Sequence, residues 1–218
     1  TGVQPAKNQW SPRLHWQHLA DRGAFVIQVD NRGSAGRGPA FAHPIAGKLG
    51  KVELSDQLAA LDQALARYPI DKDRIAIYGH SYGGYVAALA MLEAPGRFRA
   101  AVAGSPVTDW RLYDTGYTER FMGDPARFPG GYEQTDLRRS ASNLQGRLLL
   151  VHALMDENVH YQHTAQLLDA LVAADKAPEM FVFPGERHGY RSPEARRHAH
   201  RRVTEFLVDN LGTAPGCD

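Results

Sequence analysis

The stretch Ile75-Ala-Ile-Tyr-Gly79-His80-Ser81-Tyr82-Gly83-Gly84-Tyr85 decides how this chain is read. An apolar run of strand character leads into Gly-x-Ser-x-Gly, and a helical pattern follows, so the serine is expected on a sharp strand-to-helix turn. Such a turn leaves little room, and both Gly79 and Gly83 are expected to be required because a Cβ at either would meet neighbouring backbone. Ser81 then projects Oγ above the end of a strand. The helix N-terminus beneath it favours developing negative charge, and the backbone N–H of Tyr82 is the expected oxyanion donor. The plainer alternative is a chance match at a turn in a glycine-rich chain.

Outward from this turn, short apolar runs at residues 24–29, 74–78, 100–103, 148–152 and 180–183 read as buried strands. Residues 54–68, 85–93, 161–174 and 193–211 repeat apolar positions every three or four and read as helices. Ser192-Pro193 with Glu194 is a helix-start signal for the last of them. This alternation predicts an α/β fold with a doubly wound, mostly parallel sheet, whose chemistry sits in loops at the carboxyl ends of strands. Asp156 follows the 148–152 run and His188 follows the 180–183 run, so the order along the chain is Ser, Asp, His. That is the order of α/β-hydrolases, and it makes Ser81 the nucleophile, His188 the base and Asp156 the group that orients it. Glu157 is the adjacent rival to Asp156. Asp156 also reads as a cap for the helix that follows, and His188 as a solvated loop histidine. The stretch 108–143, rich in Gly, Pro, Tyr and Arg, is too long for an ordinary connection and reads as an irregular excursion that shapes a pocket.

The chain has 218 residues, 43% hydrophobic, which suits one domain spanning residues 1–218. Lys and Arg (25) nearly cancel Asp and Glu (24), so no charge imbalance points to nucleic acid as a partner. No apolar stretch reaches the ~20 residues of a membrane span. A single cysteine, Cys217, excludes an intrachain disulfide and a cysteine-based zinc cluster, and leaves the compartment unread. The opening residues 1–7 lack the apolar core of a signal peptide and an initiator Met, which suggests a processed or excised chain. The glycines of residues 32–38 run into Pro39 without the Lys-Ser/Thr of a phosphate loop. His160 and His163 read as surface histidines, and Arg196, Arg197, Arg201 and Arg202 as a solvated helix face.

Taken together, Val29-Asp-Asn-Arg-Gly-Ser34, Gly79-His-Ser-Tyr-Gly-Gly-Tyr85, Ser105-Pro-Val-Thr-Asp-Trp110, Tyr117-Thr-Glu-Arg-Phe-Met-Gly123, Asp156-Glu-Asn-Val-His160 and Arg187-His-Gly189 resemble one family closely. It is the catalytic domain of the dipeptidyl peptidase IV branch of the prolyl oligopeptidase serine peptidases, and the resemblance covers nearly the whole chain. It implies an α/β-hydrolase fold and release of N-terminal dipeptides with Pro or Ala second, with a peptide as substrate and neither metal nor organic cofactor. By the same resemblance Tyr82, Val107, Trp110, Tyr113, Tyr117 and Val159 wall the proline pocket, and Asn158 contacts the substrate carbonyl. Spacing alone puts Trp110, Tyr113 and Tyr117 on one helical face, where a core stripe is the plainer reading. Tripeptidyl or acylaminoacyl peptidases, esterases and a catalytically silent domain remain alternatives. C-terminal helices in the family often dimerise, so a homodimer is compatible with the resemblance.

Departures from the family pattern are His80, where relatives have Trp, and Ala153, where they have Gly. His80 reads as a packing or hydrogen-bonding residue. The family's upstream β-propeller has no counterpart in these residues. Nor has a strand that would lie between the runs at 24–29 and 74–78 and carry a tyrosine that donates a second oxyanion hydrogen bond. A gap in the sheet is expected there.

Overall fold

The computed structural model describes residues 14–212; Cys217 and residues 1–7 lie outside them. Four parallel strands, β1 (Ala76–His80), β2 (Ala100–Gly104), β3 (Arg147–Ala153) and β4 (Glu179–Phe183), pair in chain order. The helices are α1 (Leu14–Asp21), α2 (Pro39–Ala42), α3 (Lys51–Arg67), α4 (Tyr82–Glu93), α5 (Thr115–Met122), α6 (Pro129–Thr135), α7 (Gln162–Ala173) and α8 (Pro193–Leu211). None among the described residues is long and apolar enough to cross a membrane.

Parallel strands are covered on both faces, which is why β2 reads as an unbroken apolar run. Alternate residues of β2 and β3 divide between two layers. Ala101, Ala103, Leu148 and Leu150 pack with Leu89 and Leu92 of α4 and Leu167 and Leu171 of α7. Ala100, Val102, Leu149 and Val151 pack with Ala199, Val203 and Phe206 of α8, and Leu19 of α1 joins them. The result is the three-layer α/β sandwich expected of an α/β-hydrolase, with strand ends pointing to one edge. Ser192 Oγ accepts the Ala195 N–H at 3.1 Å and caps α8, as its sequence signal predicts.

Two expectations need correction. Residues 24–29 form no strand: the segment is an unpaired stretch in which Phe25, Val26 and Ile27 are 53%, 44% and 49% exposed. An open groove of 1070 Å³ separates it from β1, so the expected gap in the sheet is present. A strand needs a neighbour to satisfy its backbone, and the apolar pattern alone does not supply one. The excursion at 108–143 is also not irregular. It folds into a 3-10 turn (Trp110–Leu112), α5, α6 and a second 3-10 segment (Leu137–Asn143). Asp109, Asp114 and Asp136 each accept a backbone N–H two or three residues ahead and start a helical segment. Arg138 bonds both Asp109 and Asp136, and Arg111 does the same, which ties the ends of the excursion together.

Candidate active site

Ser81 lies between β1 and α4 with φ 60° and ψ −121°, a backbone region that costs a non-glycine residue about 1–3 kcal/mol. The turn is held by the Ser81 N–H donating to the Gly104 carbonyl at 2.8 Å, across to the end of β2. Gly79 is required as expected, because a Cβ there would run into the backbone of Gly83. Gly83 is not required for the reason expected: a Cβ on it meets nothing within 4 Å, since it faces the open groove. The second obligatory glycine is Gly84, where a Cβ would strike the Gly104 carbonyl and hold α4 off the sheet. Tyr82 is the first residue of α4, so its N–H belongs to the N-terminal turn beside Ser81.

The loops after β3 and β4 bring Asp156 and His188 to this turn. His188 Nε2 lies 2.9 Å from Ser81 Oγ, and His188 Nδ1 lies 2.8 Å from Asp156 Oδ2. With Nδ1 protonated toward the carboxylate, Nε2 is left to accept the serine proton. Asp156 Oδ1 accepts the N–H groups of Asn158 and Val159 at 3.0 and 2.8 Å. One oxygen of Asp156 thus caps the turn that follows it, and the other meets His188. Burial pushes this carboxyl up, but hydrogen bonds from His152 and His188, the attraction of His188 and the Val159 N–H outweigh it and hold it well below the usual carboxylate range. Glu157, the rival, is exposed and pairs with Arg187 and Arg191.

His80 does not reach Ser81 Oγ. Its Nε2–H donates to the His188 carbonyl at 2.9 Å, and the two rings lie 5.0 Å apart, so it holds the loop that carries His188. Burial and then the neighbouring His188 lower its pKa to about 4, which keeps it neutral at physiological pH.

The aromatic residues converge, although from three different segments and not from one helical face. Tyr82 lies 5.2 Å from Trp110, Trp110 is stacked on Tyr117 at 6.1 Å, and Tyr113 meets Tyr117 edge-on at 5.5 Å. Val107, Trp110 and Val159 are 2%, 1% and 0% exposed and form the backing, while Tyr82, Tyr113 and Tyr117 remain partly open. Asn158 is exposed beside them and accepts the Tyr113 hydroxyl at 2.6 Å. Val107, Trp110 and Val159 thus belong to the core, while the rings of Tyr82, Tyr113 and Tyr117 keep an open face.

The sequence reading misses two buried polar residues at the site. Glu53 of α3 accepts the Tyr82 hydroxyl at 2.5 Å and the Gly50 N–H at 2.9 Å. His152 of β3 lies behind Asp156, with Nε2 3.3 Å from Oδ2. His152 sits four residues before Asp156 on a strand that is otherwise apolar after its first residue, Arg147, and that buried polar position is the signal that was available. His163 is not a surface histidine: it is fully buried and accepts the Thr108 N–H at 3.1 Å, while His160 is exposed.

Comparison with known proteins gives the lineage of this arrangement. Residues 10–214 match the prolyl oligopeptidase family of peptidases. Dipeptidyl peptidase 8 of Homo sapiens is 43% identical over 199 residues, covering 89% of this chain and 22% of the relative. Prolyl endopeptidase FAP of Mus musculus is 37% identical over 199 residues, covering 89% of this chain and 26% of the relative. The crystal structure of dipeptidyl peptidase 4 from Porphyromonas gingivalis superposes with a TM-score of 0.80 at 39% identity, covering 84% of this chain and 26% of that one. The chain thus spans about a quarter of the length of the relatives it matches. It belongs to the prolyl oligopeptidase family, in the dipeptidyl peptidase IV branch.

Proposed function

We propose that the chain is the catalytic part of a serine peptidase that releases N-terminal dipeptides with Pro or Ala at the second position through an acyl-enzyme. The observation that carries this is the continuous hydrogen-bonded series from Ser81 Oγ through His188 to Asp156. Ser81 Oγ attacks the scissile carbonyl while its proton passes to His188 Nε2, and Asp156 stabilises the imidazolium that forms. The oxyanion develops against the Tyr82 N–H and the N-terminus of α4. His188 then returns the proton to the leaving amine, and water repeats the sequence on the acyl group. The partly open rings of Tyr82, Tyr113 and Tyr117 suit a flat apolar ring, and the exposure of Asn158 beside them supports its reading as the contact to a substrate carbonyl.

A second reading, a domain with little chemistry on its own, is favoured by one observation: the groove beside β1 opens directly onto Ser81 and Tyr82. Labelling with a fluorophosphonate and turnover of Gly-Pro and Ala-Pro anilides, compared with N-acylated versions, separate the readings. Ser81→Ala in the full-length protein that carries this chain should lower turnover by several orders of magnitude and abolish labelling. Near-normal turnover of Ser81→Ala would sink the assignment.

A further inference from the structure

His152 lies in the middle layer of the fold, at 0% exposure, on a strand that is otherwise apolar apart from its exposed first residue. A buried imidazole is retained only where its nitrogens are satisfied, and here both are. Nε2 lies 2.8 Å from the Val159 carbonyl and 3.3 Å from Asp156 Oδ2. Both are acceptors, so Nε2 carries a proton whatever the charge of the ring. Nδ1 lies 2.7 Å from the hydroxyl of Thr164, itself fully buried at the start of α7. The tautomer and the ring plane are therefore fixed from both sides.

The groups that His152 touches are the ones that aim the acid. Oδ2 of Asp156, which receives His188 Nδ1, is the oxygen that His152 faces. Val159, whose carbonyl His152 holds, returns its own N–H to Asp156 Oδ1. The carboxylate is thereby fixed twice, directly through Oδ2 and through the turn from Asp156 to Val159. No other side chain of β3 does this, because its neighbouring inward residues are aliphatic.

We propose that His152 is a positioning residue for the peptidase reaction: it fixes the rotamer of Asp156 and so the approach of His188 Nε2 to Ser81 Oγ. This rests on the Ser81, His188 and Asp156 assignment above. A mispositioned acid leaves the nucleophile present but slow, so the loss falls on kcat and not on KM.

The test uses the full-length protein that carries this chain. His152→Leu combined with Thr164→Val removes the donor without stranding the buried hydroxyl, and His152→Gln keeps an N–H near the position of Nε2. Thr164→Val alone is the reference. Expected are a 10- to 100-fold loss of kcat in the Leu variant, of about the size of one charge-assisted hydrogen bond, with KM within about twofold and substantial recovery in the Gln variant. The downfield proton resonance of the His188–Asp156 hydrogen bond should move or broaden in the Leu variant. In an Asp156→Asn background, measured by the rate of fluorophosphonate labelling, the Leu substitution should add no further loss.

Wild-type kcat in the Leu variant, or a full additional loss in the Asp156→Asn background, overturns the role. Should the Leu variant fail to fold, His152→Asn, whose shorter amide does not reach both Asp156 Oδ2 and the Val159 carbonyl, takes its place: a loss of kcat in the Asn variant with recovery in the Gln variant supports the role, and equal kcat in the two overturns it. Ser81→Ala with turnover intact would remove the triad and this role together, whereas an unaffected Leu variant beside a dead Ser81→Ala removes only the role of His152.

Discussion

His80 sits one residue before Ser81, yet its chemistry is that of a buried neutral ring. Its Nε2–H is committed to the His188 carbonyl, its ring meets Tyr190 and His188, and Asp156 and His152 are the other charged or titratable groups whose fields it feels. Burial first, then repulsion from His188, bring its pKa from 6.5 to about 4. The unfolded chain therefore binds a proton that the folded one refuses between these values. Stability is complete above pH 6.5 and falls as pH drops toward 4, by about 2 kcal/mol at pH 5 from this residue. His163, lowered to about 4 chiefly by its own burial, works in the same direction. Urea unfolding at pH 7 and pH 5 should show a smaller difference in His80→Phe than in wild type. An equal difference in the two proteins would mean that His80 protonates freely in the fold.

At the scale of elements, the parallel strands and long helices were legible because each carries its own periodicity. β2 is an unbroken apolar run, β3 is apolar between Arg147 and His152, and α8 opens on Ser192-Pro193 where its cap was expected. The short helices of the excursion were not, since Gly130 and Gly131 in α6 and Gly116 in α5 lower helix propensity and tertiary packing overrides it. The starts of α5 and of the two 3-10 segments were nevertheless written in Asp114, Asp109 and Asp136. At the site, the order Ser81, Asp156, His188 was legible because each follows its own strand. Glu53 and His152 were not, because what they touch is set by contacts between distant elements. Tyr113 and Tyr117 come from the same excursion: Asp114 accepts the Tyr117 N–H at 2.8 Å and so fixes where the Tyr117 ring enters the proposed pocket. Removing that ring takes contact area from a proline ring and much less from a methyl group. Tyr117→Ala should lower kcat/KM for Pro substrates by about tenfold more than for Ala substrates. Equal losses would assign Tyr117 to the core, together with Trp110 behind it.

For the molecule as a whole, the open question is the sheet edge. Among the described residues β1 ends the sheet, and it is half-exposed where β2 is wholly buried. Phe25, Ile27 and Tyr78 line the two sides of the groove with exposed apolar surface. An interior parallel strand without a neighbour leaves backbone donors and acceptors to water and offers a template for pairing. The groove also reaches Ser81, so whatever strand fills it ends beside the oxyanion site. The resemblance to the dipeptidyl peptidase IV branch assigns such a strand a tyrosine that donates the second oxyanion hydrogen bond. Loss of one donor of this kind costs about 10²–10³ in rate. The chain of 218 residues alone should therefore turn over Gly-Pro anilide at least about 100-fold more slowly than the full-length protein that carries it. It should also bind an apolar-surface dye that the full-length protein does not, and alternate backbone amides of β1 should exchange quickly with solvent. Matched kcat values for the two would show that strand and donor are dispensable. Equal exchange protection of β1 would show that the chain fills the groove by itself, through a rearranged segment or a second copy.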